Sequence, residues 1–176
     1  MNITEKLRSA IRDVPDFPKP GILFKDITPI LENPQLCREI TIALAGPYSA
    51  DVPDAIVGVE SRGFLFGMLL AQHFGIPFIP VRKAGKLPYQ TISYSYNLEY
   101  GSATVEMHVD SIKPNWKVVV HDDLLATGGT AAAAAELILR QSAAVSGFSF
   151  LVELGFLNGN EALSKYNARV DSLISF

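Results

Sequence analysis

Short apolar runs alternate with helix-forming segments along most of the chain. Residues 54–60 (DAIVGVE) and 117–123 (KVVVHDD) are rich in valine and isoleucine and predict buried strands. A helical pattern follows each, at 64–75 (FLFGMLLAQHFG) and at 131–142 (AAAAAELILRQS), where the alanine run strongly favours a helix. Alternation of strand and helix predicts βαβ units and a parallel sheet.

Further elements extend this alternation to both ends of the chain. Additional helices are predicted at 2–13, 34 to about 46 and 161–166, and additional strands at 76–83, 104–110 and 144–154. Fully apolar strands such as VVV fit a sheet that is covered on both faces. We therefore expect an α/β fold with a mostly parallel central sheet flanked by helices, in a single domain that spans residues 1–176.

Two segments show no regular period. Residues 14–34 carry five prolines in 21 residues, and proline removes a backbone donor and biases its predecessor towards extended geometry. An ordered irregular arm is expected there, anchored by Phe17, Ile22, Leu23 and Phe24. Residues 84–103 are rich in small, polar and aromatic side chains, which predicts a long excursion with some hairpin character.

Composition restricts the classes of function. The net charge is −3 and the pI about 5.6, whereas nucleic-acid binding normally needs a basic face. The single cysteine, Cys37, cannot form an internal disulfide, which favours a reducing compartment. The N-terminus lacks the long apolar core of a secretory signal, and no stretch is long and apolar enough for a membrane helix. We expect a soluble cytoplasmic protein that binds neither nucleic acid nor membrane.

The chemistry is concentrated in residues 118–130 (VVVHDDLLATGGT), where a buried strand runs into two adjacent acids. Ligands of parallel sheets bind beyond the carboxyl ends of the strands. Gly128 and Gly129 let main-chain N–H groups approach a ligand, and the start of the next helix adds a partial positive charge, so the loop suits a phosphate monoester. Asp122 and Asp123 would repel that phosphate, and their expected partners are hydroxyl groups or a cation. A ribose 5-phosphate supplies both a diol and a phosphate.

Other interpretations of this stretch remain available. The two acids can begin an Asx turn beside an ordinary tight loop. A Walker-B aspartate would need a G-x-x-x-x-G-K-[ST] motif, and a dinucleotide site would need G-x-G-x-x-G, neither of which occurs in the sequence. The order of strand, two acids, Thr-Gly-Gly-Thr loop and helix favours the sugar-phosphate interpretation.

This stretch resembles the phosphoribosyl pyrophosphate (PRPP) motif of the type I phosphoribosyltransferases, and its LLATGGT form is similar to adenine phosphoribosyltransferases in particular. Further segments resemble that family in the same order, from about residue 12 to about residue 165. They are DFPKPGILFKDITP (16–29), GVESRGFLFG (58–67), VRKAGKLP (81–88) and LEYG (98–101).

The resemblance implies the type I phosphoribosyltransferase fold, with a small hood formed mainly by residues 13–34 and a flexible closing loop. It also implies a reaction in which adenine and PRPP give AMP and pyrophosphate, with Mg²⁺ held mainly through PRPP and water, and a homodimer. The alternatives are a 6-oxopurine as the acceptor base and a non-catalytic, PRPP-sensing regulator on the same fold. The acidic pI counts against the regulator.

The resemblance also assigns roles to the residues around PRPP. Asp122 and Asp123 would bind the ribose diol, and the loop of Ala126, Thr127, Gly128, Gly129 and Thr130 would bind the 5-phosphate. Glu60 and Ser61, which can be joined by a cis peptide in that family, and Arg62 would form the pyrophosphate loop. Arg82, Lys83 and Lys86 would reach pyrophosphate from the closing loop. Arg62 can instead form a surface salt bridge, and the other three cations can be a solvated face.

The remaining assignments concern the base. Phe24 and Leu124 would stack on the two faces of adenine, with backbone groups of Leu23 along its edge. Lys25 lies where some relatives carry arginine. Glu99 and Tyr100 are candidates for proton handling near N7 or N9, although an exposed pair on a hairpin is an equal alternative.

Several residues receive no functional role. His121 lies where the family often has an aliphatic residue, and strand alternation predicts that it points away from the ligand. Cys37, His73 and His108 lack the spacing of metal ligands and are expected to be structural.

Overall fold

The structure is a computed structural model that describes residues 1–97 and 101–176. Its helices are α1 (Ile3–Ala10), α2 (Thr28–Leu31), α3 (Pro34–Ala45), α4 (Gly63–Phe74), α5 (Gly129–Arg140) and α6 (Gly159–Leu163). Its strands are β1 (Arg12–Pro15), β2 (Leu23–Asp26), β3 (Ala55–Val59), β4 (Phe78–Lys83), β5 (Thr91–Asn97), β6 (Ser102–His108), β7 (Lys117–Leu125), β8 (Ala144–Glu153) and β9 (Arg169–Ser175).

A seven-stranded sheet forms the centre of the described chain, in the order β5-β6-β4-β3-β7-β8-β9. The pairs from β4 through β3, β7 and β8 to β9 are parallel, whereas β6 and β5 are antiparallel additions at one edge. The predicted α/β fold with a mostly parallel sheet is therefore confirmed.

Helices cover both faces of this sheet, which explains the apolar character of its strands. In β7, Val118 and Val120 join a core cluster that includes the buried alanines of α5. Val119 points to the opposite face and joins a cluster formed with α1, α3 and α4. Two buried faces require apolar side chains at successive strand positions. No helix within residues 1–97 and 101–176 is long and apolar enough to cross a membrane.

The proline-rich arm contains more regular structure than the sequence predicts. Strands β1 and β2 form an antiparallel pair with Asp13 opposite Lys25 and Val14 opposite Phe24, followed by the short helix α2. The first helix ends at Ala10 rather than near residue 13, because Arg12 already belongs to β1.

Three of the four apolar side chains expected to anchor the arm, Phe17, Ile22 and Leu23, are not buried. These three side chains are 51%, 44% and 49% exposed, while Ile27 and Ile30 are buried instead. Ile22 and Leu23 line an open cavity rather than the core. The segment 84–103 does have hairpin character, since β5 pairs with β6 along seven residue pairs.

Candidate active site

A cavity of about 440 Å³ opens at the carboxyl ends of β3, β4 and β7. The ends of parallel strands meet at this edge, so residues distant in sequence come together. The cavity has both charged and hydroxyl-bearing walls. Its polar lining residues are Glu60, Arg82, Lys83, Tyr96, Thr104, Asp122 and Thr130.

Asp122 and Asp123 lie near the carboxyl end of β7, and their side chains occupy different environments. Asp122 faces the cavity, and its Oδ1 accepts a 2.8 Å hydrogen bond from the backbone N–H of Asp123. Burial, together with the neighbouring Asp123 charge, holds the pKa of Asp122 well above its ordinary value. Burial also raises the pKa of Asp123, and the Arg62 guanidinium limits that rise. At Asp122, burial and the Asp123 charge therefore outweigh the opposing effect of the Arg62 guanidinium, so the folded protein favours the protonated carboxyl.

The loop that follows β7 lies between the cavity and α6. Gly128 has φ +81°, and a Cβ there would lie 2.6 Å from the carbonyl oxygen of Gly159. Only glycine fits both restrictions. Gly128 precedes the first turn of α5, and glycine has no side chain to cap the N–H groups there. These donors and the hydroxyl of Thr130 can receive an anion.

Tyr96 reaches this loop from the hairpin strand β5. Its hydroxyl lies 2.9 Å from Thr130 Oγ1. A Cβ on Gly129 would lie 3.5 Å from the Tyr96 ring, which is ordinary van der Waals distance. The ring therefore rests on the loop without crowding it.

The loop after β3 contributes Arg62 to a neighbouring part of the site. The Glu60–Ser61 peptide is cis, and Arg62 immediately precedes α4. Arg62 Nε lies 3.0 Å from Asp123 Oδ2, and Arg62 Cζ lies 4.9 Å from the ring centroid of Phe24. The guanidinium thus joins an acid of the PRPP motif to the hood. The place of Arg62 at pyrophosphate stays a prediction.

Two acids hold the cation-bearing segment that begins at the end of β4 and continues into the following loop. Glu60 accepts hydrogen bonds from Arg82 Nη2 at 2.9 Å and from the backbone N–H of Lys83 at 3.0 Å. The hydrogen bond from Arg82 is the main reason that the pKa of Glu60 is lowered. Arg82 Nη1 donates to the carbonyl oxygen of Lys86. The buried Arg82 Nε has no hydrogen-bond partner in the part of the chain that the structure describes.

Glu106 of β6 is the second of these acids. It is only 6% exposed, and it accepts hydrogen bonds from the backbone N–H groups of Lys86 at 2.9 Å and Leu87 at 2.8 Å. Burial alone raises the pKa of this carboxyl, but the backbone donors more than offset burial, so its pKa is lowered. The side chains of Lys83 and Lys86 remain exposed.

The hood carries the residues predicted to bind the base. The Phe24 ring meets Phe17 edge to face, with centroids 5.1 Å apart. Lys25 Nζ lies 2.7 Å from Asp13 Oδ1 and 3.9 Å from the centroid of the Phe176 ring. Beside the hood is a second cavity of about 450 Å³, whose apolar lining includes Ile22, Leu23, Leu154, Phe156, Leu157 and Phe176. Leu124 is partly buried against the core cluster on the α1 side.

Some predicted residues lie elsewhere. Glu99 and Tyr100 fall outside the described residues. His121 is fully buried, with Nδ1 3.3 Å from Ser149 Oγ, and it does not line the cavity, in agreement with the predicted direction of its side chain. Among residues 1–97 and 101–176, no group of three or more His, Cys, Asp and Glu side chains is placed to hold a metal ion.

The sequence did not single out Tyr96, Glu106 or Gly159. A signal for Tyr96 was present, because serine and tyrosine alternate from Ser93 to Tyr96 and alternation is typical of a strand. The acid in the middle of the predicted strand 104–110 was a signal for Glu106. Their partners could not be found from these patterns, because each contact joins segments that are distant in sequence.

Comparisons with known proteins agree with this architecture. A family model, the phosphoribosyl transferase domain, matches residues 26–172. An adenine phosphoribosyltransferase of Cytophaga hutchinsonii is 48% identical over 174 residues, which make up 99% of this chain and 96% of the relative.

Solved structures extend the similarity to three dimensions. The crystal structure of adenine phosphoribosyltransferase from Rhodothermus marinus has a TM-score of 0.94 and 49% identity, and the match covers 99% of this chain and 98% of that one. The enzyme from Saccharomyces cerevisiae, complexed with D-2,5-dideoxy-2,5-imino-altritol 1,6-bisphosphate and adenine, has a TM-score of 0.91 and 41% identity, with 98% of both chains covered. The chain therefore belongs to the adenine phosphoribosyltransferase family, within the phosphoribosyltransferases of type I fold.

Proposed function

We propose that this protein transfers the 5-phosphoribosyl group of PRPP to adenine, giving AMP and pyrophosphate in purine salvage. The observation that carries the proposal is the cavity that Asp122 and Thr130 share. The carboxyl of Asp122 and the hydroxyl of Thr130, at the two ends of residues 122–130, line the same cavity, and the glycine-rich backbone lies next to Thr130. A ribose 5-phosphate fits this arrangement, since its diol can donate to Asp122 while its phosphate accepts from the loop.

The leaving group lies at the cation-bearing side of the same cavity. When the bond between ribose C1 and the pyrophosphate oxygen breaks, both electrons leave on the oxygen, so stabilising that negative charge lowers the barrier. Arg82 and Lys83 line the cavity there, so their positive charges lie beside the proposed leaving group. We assign these two residues to pyrophosphate, together with Arg62, Lys86, Ser61 and the backbone around Glu60.

The residues present also fit Mg²⁺. Asp122 places a carboxyl on the cavity wall, and carboxylate oxygens suit a hard cation such as Mg²⁺. Asp122 and Asp123 would hold the ion through ribose hydroxyls and water. When bound, Mg²⁺ supplies positive charge that neutralises the pyrophosphate oxygens.

Adenine would lie under the hood. Phe24 offers a ring face for stacking, and Arg62 beside it connects the base side of the site to Asp123. Leu124 and the backbone of Leu23 complete our assignment of the base site, with Lys25 fixing the strand that carries Leu23. The bond from N9 of adenine to ribose C1 forms while one ring proton is lost, and we assign proton handling to Glu99 and Tyr100.

The proposal includes the assembly and the location of the protein. We infer that residues 1–176 form one catalytic domain that works as a cytoplasmic homodimer, with residues 13–34 as the hood. An exposed apolar surface supports the homodimer: Ile42 on α3 and Leu65, Met68 and Leu69 on α4 are 61%, 40%, 51% and 38% exposed. The single cysteine agrees with a reducing compartment.

The test is an assay of PRPP with a panel of purines, following pyrophosphate release. The proposal expects adenine to react at least about tenfold faster than hypoxanthine, guanine or xanthine, since hydrogen-bonding sites discriminate strongly against a base with reversed donors and acceptors. Faster turnover of a 6-oxopurine would overturn the choice of base. Tight binding of PRPP with no AMP formed would overturn catalysis and favour a regulator.

A further inference from the structure

Tyr96 occupies a particular place relative to helix α5. On strand β5, Ile92, Tyr94 and Tyr96 lie on one face and pack against the core cluster that contains the alanines of α5. Arg140, the last residue of α5, lies over Tyr94, with Cζ 4.9 Å from the ring centroid. Tyr96 lies at the opposite end of the helix, where α5 begins after the glycine-rich loop. The strand therefore brings a phenol to the helix terminus that should receive the phosphate.

Two contacts connect Tyr96 to this loop. The hydroxyl lies 2.9 Å from Thr130 Oγ1, and the ring is in van der Waals range of the space above Gly129. Tyr96 and Thr130 also line the same cavity as Asp122. The phenol thus touches the Thr130 hydroxyl directly and borders the space assigned to the ligand.

Hydrogen-bond chemistry fixes the direction of this contact when a phosphate binds. Each hydroxyl has one proton to donate, and a phosphate dianion only accepts. If Thr130 donates to the phosphate, it must accept from Tyr96, so the order becomes Tyr96 to Thr130 to phosphate. Hydrogen bonds in such a chain polarise one another, and the last bond is charge-assisted. The phenol therefore orients the threonine proton towards the anion.

We propose that Tyr96 is a positioning residue for the 5-phosphate of PRPP, acting through the hydroxyl of Thr130. The inference rests on the proposed function, which places the 5-phosphate in this loop. It extends the phosphate site beyond residues 126–130 to a strand on the other side of the cavity. It also gives β5 a part in recognising substrate in addition to its packing on α5.

The experiment compares AMP with adenosine by titration calorimetry, since the two ligands differ only in the phosphate. Tyr96→Phe removes the hydroxyl and keeps the ring. We expect AMP to bind about 3- to 10-fold more weakly to the variant, as for the loss of one hydrogen bond, with adenosine binding unchanged. Steady-state assays should show the same change in KM for PRPP and none in KM for adenine. Tyr94→Phe, on the same face of β5, is the matched control and should bind both ligands as the wild type does.

A second pair of variants tests the route through Thr130. In a Thr130→Val background, Tyr96→Phe should have no further effect on AMP affinity, because the relaying hydroxyl is gone. A persistent additional loss would overturn the relay. Equal losses for AMP and adenosine, or no loss for either, would overturn the role of Tyr96 altogether.

Ligand binding by the wild-type protein distinguishes a failure of the proposed function from a failure of the role of Tyr96. If the wild-type protein binds AMP no better than adenosine and does not bind ribose 5-phosphate, the proposed function itself fails. If the wild type prefers AMP strongly and Tyr96→Phe keeps the full preference, only the role of Tyr96 fails.

Discussion

Arg62 and Asp123 form an ion pair that joins the loop after β3 to the end of β7, with Arg62 Nε 3.0 Å from Asp123 Oδ2. The same guanidinium lies over the Phe24 ring, with Cζ 4.9 Å from its centroid. One side chain thus connects an acid of the PRPP motif with the aromatic residue assigned to adenine. A planar guanidinium can stack and donate sideways at once, which a lysine ammonium cannot do.

Arg62→Lys should therefore weaken the binding of adenine even though the variant keeps the positive charge. We expect KM for adenine to rise by about tenfold, because the stacked contact is lost and Phe24 is no longer fixed. Arg140→Lys is a matched control, since Arg140 lies at the same 4.9 Å from the Tyr94 ring but away from Asp122 and Asp123. Steady-state kinetics at varied adenine would decide. Similar kinetics for Arg62→Lys and the wild type would show that the stacked arrangement does not matter for the base.

We expect the replacement of Asp122 to raise the stability of the protein and to weaken the binding of PRPP. Its pKa is raised in the folded protein, so the folded state favours the protonated carboxyl, and stability is lost as the pH rises from the ordinary value of 3.8 through the raised pKa. Asp122→Asn should therefore raise the Tm of the unliganded protein at pH 7, by at least about 2 °C. It should also raise KM for PRPP far more than KM for adenine, because the amide no longer provides an anionic acceptor to the diol.

Thermal unfolding without ligand, beside steady-state kinetics, measures both effects. Asp110→Asn changes an exposed carboxyl and should leave Tm within about 2 °C of the wild type. A lower Tm for Asp122→Asn would contradict the burial argument. Equal losses for PRPP and adenine would contradict the assignment of Asp122 to the diol.

We expect the folded protein to lose stability in mild acid because His121 is buried. Burial lowers its pKa from 6.5 to about 4, so between these values the unfolded chain binds the additional proton. Stability falls as the pH drops through this window, by about 3 kcal/mol in total for this residue at 1.36 kcal/mol per pH unit. Its Nδ1 faces Ser149, and its Nε2 has no hydrogen-bond partner among the described residues, so no acid there compensates the imidazolium.

His121→Leu should remove this dependence. The measurement is the free energy of unfolding by denaturant at several pH values between 4 and 7.5. The difference between the variant and the wild type should shift in favour of the variant by about 3 kcal/mol as the pH falls. A difference that stays constant across this range would show that His121 is not buried in its neutral form.

Glu106 connects strand β6 of the hairpin with the loop that continues from the cations at the end of β4. The carboxylate accepts from the backbone of Lys86 and Leu87, so Glu106→Ala would leave two N–H groups without their acceptor. We expect a loss of about 2 kcal/mol in stability and a higher KM for PRPP, because the segment that carries Lys83 and Lys86 is no longer fixed. Denaturant unfolding and steady-state kinetics provide the two readouts. Glu32→Ala, at an exposed acid, should change neither, and an unchanged KM for PRPP in Glu106→Ala would separate this segment from substrate binding.

The central sheet and the residues after its strands could be predicted from the sequence because the information is local. A run such as VVV has to be buried, and acids or glycines that follow it must lie at the sheet edge. Contacts between distant segments could not be predicted in this way. The pairing of Asp13 with Lys25 turns a proline-rich arm into a hairpin, and Tyr96 meets Thr130 only because β5 packs along α5. Likewise, Ile27 is buried because it packs in the core cluster with α1 and α3, whereas Ile22 lines the cavity beside the hood.

We expect the ring of Phe176 to contribute to the binding of adenine and not to the binding of PRPP. Two cations lie over its ring, with Lys25 Nζ 3.9 Å and Arg8 Cζ 4.9 Å from the centroid. The Lys25 side chain is only 9% exposed, and it follows Leu23 and Phe24 in β2, so the aromatic contact holds the strand assigned to adenine. A cation over a ring in a partly desolvated place contributes about 1–2 kcal/mol. The hood should therefore depend on the ring of Phe176 as well as on its apolar volume.

Phe176→Leu keeps an apolar side chain and removes the ring, whereas Phe176→Tyr keeps the ring. We expect KM for adenine to rise about 3- to 10-fold in Phe176→Leu, with KM for PRPP unchanged, and near wild-type values in Phe176→Tyr. Steady-state kinetics with each substrate varied in turn separates the two constants. If both variants behave alike, the ring face has no part in holding Lys25. If KM for PRPP rises together with KM for adenine, the effect is a general loss of structure, because Phe176 lies beside the hood and away from the cavity that contains Asp122.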